Sequence, residues 1–158
     1  MTDARFEDGA DRPLRLMAQS ADDVPVLSAL LQDAIFPAAE MTYRPRQREF
    51  AILLNRFRWE DRDAAHQRRR GFERVQSVLL VRDVLGVASQ GIDRSDADLV
   101  LSLMEVVFHP GEDGRGEVLL TLAGDGAIRL QVECLDLRVL DVTRPYLAPS
   151  GKAPDHQI

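Results

Sequence analysis

A chain of 158 residues with 45% apolar and 29% charged side chains has the length of one domain and a globular composition, which excludes disordered and fibrous classes. Its single cysteine, Cys134, excludes an intrachain disulfide, and its most apolar run, Leu99 to Phe108, falls far short of the roughly 20 residues of a membrane helix. The net charge of −6 argues against non-specific binding of nucleic acid over the whole surface, and no secretory signal opens the chain, so a cytoplasmic location is expected.

Residues 1–12 are acidic and aperiodic and read as a flexible tail. A single domain is expected over 13–145, with a second tail over 146–158, where Pro149, Gly151 and Pro154 fall. Leu14, Leu16 and Ala18 alternate with Arg15 and Met17 and predict a short strand. Ser20-Ala21-Asp22-Asp23 then has the form of a helix start, and Val24, Leu27, Leu30, Leu31 and Ala34 fall at helical spacing. One helix is predicted from about Ala21 to Asp33, ending at Phe36-Pro37 because proline disfavours helical geometry in the residue before it.

The period then changes to two. Ala39, Met41 and Tyr43, a turn at Pro45-Arg46-Gln47, and a long strand from Phe50 to Trp59 predict a hairpin. On its second strand Ala51, Leu53, Asn55, Phe57 and Trp59 share one face, while Phe50, Ile52 and Leu54 share the other with Arg56 and Arg58. Phe57 and Trp59 are expected in the core, with the arginines facing water or paired with Glu49, Glu60 and Asp61. Glu60 to Gly71 reads as an exposed loop or a poorly buried helical turn. Phe72 to Val81 is the next predicted strand, Val84 to Ile92 its continuation beyond a bend, and Gly86 a bulge.

Leu99 to Phe108 predicts a strand, His109 to Gly116 a loop, and Val118, Leu120 and Leu122 a further strand. Gly124-Asp125-Gly126 marks a tight turn into Ile128, Leu130 and Val132. After Cys134 the alternation changes phase, so residues 135–142 form either a short closing helix or a bulged strand. The sum is an α+β fold, predominantly an antiparallel β barrel or sandwich with one N-terminal helix, for which a pleckstrin-homology-like barrel is one topology.

Three stretches carry a likeness to a known family: Phe50-Ala51-Ile52-Leu53-Leu54-Asn55-Arg56-Phe57-Arg58-Trp59-Glu60, Gln90-Gly91-Ile92, and Gly126-Ala127-Ile128-Arg129-Leu130-Gln131-Val132-Glu133-Cys134. With the spacing between them, most of residues 14–145 resembles an uncharacterised bacterial family catalogued only as a domain of unknown function. The resemblance implies no catalytic residue, cofactor or partner.

Candidate chemistry is sparse. Cys134 and His109, with Glu133 or Glu105, are the ingredients of a thiol nucleophile and its base, but a lone cysteine closing an aliphatic strand reads as a small hydrophobe. His66, His109 and His156 lack metal-ligand spacing, so neither metal nor cofactor is expected. The loop with Gly111, Gly114 and Gly116 carries Glu112 and Asp113 and precedes a strand, unlike a phosphate-binding loop. The acid pairs Asp22-Asp23, Asp61-Asp63 and Asp96-Asp98 sit where caps and turns use acids.

Charge is uneven, with ten arginines against five acids between Arg44 and Arg74, a net of +5 in an otherwise acidic chain. The expected binding surface is an Arg-rich hairpin, Arg44, Arg46, Arg48, Arg56 and Arg58, holding an acidic protein partner. The predicted function is a non-enzymatic interaction module. The alternatives are a small-molecule-binding barrel or enzyme with a pocket between sheet and helix, and a single-stranded nucleic-acid binder using Phe57 and Trp59 as stacking faces. No membrane contact is expected.

Overall fold

Side chains that alternate between oil and water fix most of this chain as strands, because successive residues of a strand point to opposite faces. The computed structural model describes residues 13–61, 73–93, 95–96, 98–143 and 146–147. Its strands are β1 (Arg15–Ala18), β2 (Ala34–Pro37), β3 (Met41–Arg44), β4 (Glu49–Phe57), β5 (Glu73–Val81) and β6 (Val84–Gln90). They continue as β7 (Val100–Pro110), β8 (Gly116–Leu122), β9 (Ala127–Val132), β10 (Leu137–Asp141) and β11 (Tyr146–Leu147). One helix, α1 (Val24–Leu31), follows a single 3-10 turn at Ala21–Asp23. The 1–12 tail and most of the loop after Glu60 lie outside the described residues, as does the C-terminal tail from 148. Tyr146 and Leu147, the first residues of that predicted tail, pair with Arg74 and Glu73.

Every strand pair is antiparallel, and the order is β1-β10-β5-β4-β2-β7-β8-β9-β6, with β11 beside β5 and β3 beside β4. The architecture is thus the expected α+β fold, mostly antiparallel sheet with one helix. Short β2 is the corner: it bridges β4 at Ile35–Asn55 and runs along β7 from Ala34–Leu103 to Pro37–Val100. Leu54, Leu79, Leu103, Leu120, Ile128, Leu130 and Val139 from both halves meet in one core. The helix closes that core with Val24, Leu27 and Leu31, and the Val106 amide donates to the Ser28 hydroxyl at 2.9 Å, tying α1 to β7.

Two expectations are corrected and one open alternative is decided. The helix ends at Leu31, Asp33 takes a left-handed φ of 66°, and Ala34-Ile35-Phe36-Pro37 is strand β2. Ala34 and Phe36 are buried while Ile35 is exposed, a two-residue alternation too short to separate from helical spacing in the sequence. Val84 to Gln90 does not continue β5: the chain turns at Arg82-Asp83, with Asp83 at φ 57°, and β6 pairs with β9 instead. Of the two readings of residues 135–142, the strand holds, because the chain leaves β9 near Cys134 and crosses to pair with β5 from Leu137–Val81 to Asp141–Ser77. The phase change is that crossing.

The bulge expected at Gly86 is present as a register shift between Val84 and Gly86. Beyond it Gly91, at φ +68°, ends β6 so close to the β8–β9 turn that a Cβ there would lie 2.7 Å from the Asp125 carbonyl oxygen. Two of the three family-like stretches therefore touch. Among the described residues no helix is long and apolar enough to cross a membrane.

Candidate functional site

The arginines of the first hairpin divide into two groups. Period two carries Phe50, Ile52 and Leu54 into the core, and Arg56 follows on the same face at 0% exposure. Arg58 is 4% exposed and donates to Glu73 Oε2 at 2.6 Å. Neither guanidinium faces water, which corrects the expected five-arginine surface. Around the turn Arg44 and Arg46 are exposed, and half-exposed Arg48, at φ 58°, pairs with Glu133. The further arginines at 62 and 68–70 lie outside the described residues.

Arg56 is the hub of a buried ionic cluster. Its Nε lies 3.0 Å from Asp141 Oδ1 and 3.1 Å from Ser77 Oγ. Its terminal nitrogens reach both Glu60 oxygens at 2.8 Å and Asp141 Oδ2 at 3.0 Å. Burial alone would lower the guanidinium pKa, but hydrogen bonds to Glu60 and Asp141, and their charges, raise it above its ordinary value. For Asp141 burial pushes upward, and hydrogen bonds from Arg56, Ser77 and the Leu14 amide with the Arg56 charge hold the carboxyl below its ordinary value. Every polar atom here is spent on the protein itself, so the cluster is a structural clamp across β4, β5 and β10.

Phe57 is fully buried, 4.9 Å from the Trp59 ring and under the Arg74 guanidinium at 5.4 Å, and Trp59 donates its indole N–H to the Gln32 carbonyl at 2.9 Å. The aromatic faces that a single strand of nucleic acid would stack on are occupied internally.

Cys134 is exposed, but its thiol donates to Asp83 Oδ2 at 3.0 Å. That hydrogen bond, with some burial and the charges of Asp83, Asp136 and Glu133, pushes the thiol up to about 11, the opposite of what activates a nucleophile. Strand register sets His109 opposite Glu117, and Glu117 opposite Gln131, so a whole strand separates the imidazole from the strand that leads to Cys134. Among the described residues no three His, Cys, Asp or Glu side chains gather as metal ligands.

A different site emerges where the sheet fails to close. Among the described residues β3 pairs only with β4 and β6 only with β9, and their outer edges flank a seam. At one end the seam narrows, with the Val84 amide 2.8 Å from the Arg48 carbonyl and the Tyr43 hydroxyl 3.5 Å from the Val84 carbonyl. Beyond that point it opens into a cleft of about 340 Å³. Met41, Tyr43 and Phe50 line one wall and Val87, Ile92 and Ile128 the other, with Ser89 and Asp96 the polar groups. Sequence reasoning missed this site because both walls read simply as alternating strand residues, and only the non-local pairing leaves the edges unjoined.

A cavity between sheet and helix is also present, about 430 Å³ between α1 and β7, with Gln32, Glu105 and Phe108 in its lining. Its Ser28 hydroxyl already takes the Val106 amide, and neither His109 nor Cys134 lines it.

A family model described as "Protein of unknown function (DUF2948)" matches residues 14–156. No curated protein and no solved structure matches the chain.

Proposed function

We propose that this chain, which belongs to the DUF2948 family of unknown function, is a non-enzymatic binding module that holds a small, largely apolar ligand in the seam between β3 and β6. The single supporting observation is the cleft itself: an apolar, partly aromatic space left between two unpaired strand edges. Closing the sheet would remove exposed backbone donors and acceptors, and ligand pockets concentrate where apolar walls meet a few polar groups. The protonated thiol and the fully paired Arg56 cluster favour binding over catalysis.

Benzyl alcohol is a suitable probe, read through methyl NMR shifts at Val87, Ile92 and Ile128. Saturable shifts with affinity on the order of millimolar are expected for so small a molecule. Filling the cleft with Val87→Trp, or with Ala39→Phe at its exposed rim, should abolish them in a chain that still melts cooperatively. Shifts that survive both replacements would sink the reading.

A second reading rests on the turn alone. Arg44 and Arg46 are exposed and make no ion pair among the described residues, so they are available to an acidic protein partner. Arg44→Glu with Arg46→Glu should then remove a partner that copurifies with the native chain; unchanged copurification refutes it.

A further inference from the structure

We propose that the seam ligand carries a cationic head beside its apolar body, recognised by Asp96, as an aromatic or aliphatic amine would be. The inference rests on the cleft being a ligand site and adds the chemistry of what enters it. No basic side chain is among the described residues lining the cleft, so none of them would compensate an anion. Asp96 is the only carboxylate among the described residues lining it. Its Oδ1 accepts the Asp98 amide at 3.1 Å, which fixes the carboxylate at the rim, and its second oxygen has no protein partner among the described residues.

Size and shape narrow the class. A volume of about 340 Å³ stands at the small end of ligand pockets, enough for one aromatic ring or a short alkyl chain. Tyr43 and Phe50 offer ring surface to such a body, while exposed Asp96 leaves the charged head in contact with water, so the ion pair forms without full desolvation. The net charge of −6 gives the molecule a field that draws cations and repels carboxylates of similar size.

Three probes of one shape separate the terms: 2-phenylethylamine, 2-phenylethanol and 3-phenylpropanoate, titrated into the full chain by NMR. The amine should bind roughly threefold to fivefold tighter than the alcohol, the upper part of the range of an exposed charge pair, and the carboxylate weakest. Asp96→Asn, a surface change that leaves the fold alone, should equalise amine and alcohol, and about 1 M salt should do the same in the unaltered chain. Equal binding of amine and alcohol at low salt would overturn the cationic head while leaving the apolar cleft standing. Failure of all three to bind would overturn both.

Discussion

Arg56 is worth most when its partners are counted with it. Replacing it with alanine leaves Asp141, whose side chain is 4% exposed, without its cation, and breaking a buried pair from one side costs roughly 3–5 kcal/mol. Urea denaturation should show that loss for Arg56→Ala, whereas Arg44→Ala, on an exposed turn residue, should move stability by about 0.5 kcal/mol or less. The same cluster predicts a pH dependence. Because the folded Asp141 carboxyl sits below its unfolded value, its contribution is complete above the ordinary carboxylate range of about 4 and drains away as the pH falls further. Denaturation midpoints should be level from about pH 5 to about pH 8 and fall on the acid side, and Asp141→Asn should lower the plateau and flatten that fall. Arg56 also marks the limit of reading charge from sequence: water or an acid such as Glu60 was expected around it, and the Glu60 pair is there, but the strand's own alternation from Phe50 through Leu54 put it inside.

Among the elements, long alternating runs were legible and short corners were not. β4, β5, β7, β8 and β9 lie close to where period two put them, because each supplies enough repeats to establish a face. β2 was lost in the end of the helix, and its identity comes from β4 and β7 on either side, which no local pattern encodes. Gly91 tests how tightly the end of β6 is held. Gly91→Ala combines a left-handed φ with a contact 2.7 Å from the Asp125 backbone oxygen, and should cost about 2 kcal/mol or more. Gly124→Ala, at φ +82° with open space around it, bears only the conformational term of about 1 kcal/mol. Equal losses in thermal melts would show that the β6 end yields freely.

For the whole molecule, the fold class followed from composition and periodicity, while the candidate site did not. The +5 segment drew attention to the β3–β4 hairpin for its charge, yet the seam uses the apolar side of that hairpin, Met41, Tyr43 and Phe50, against residues 37 or more positions later in the chain. That juxtaposition depends on β6 abandoning β5 for β9, which the Arg82-Asp83 turn hides from local reasoning. The stitching of β1 to β10, with the Leu14 amide 2.7 Å from the Asp141 carboxylate, has a consequence for biosynthesis. During translation the first strand leaves the ribosome with no edge to join, and it waits until residue 141 has emerged. β3, β4 and β5 can pair as soon as Val81 is made, but the β1 strand and the free edge of β5 lack their β10 partner throughout that interval, and unpaired strand edges are where nascent chains aggregate.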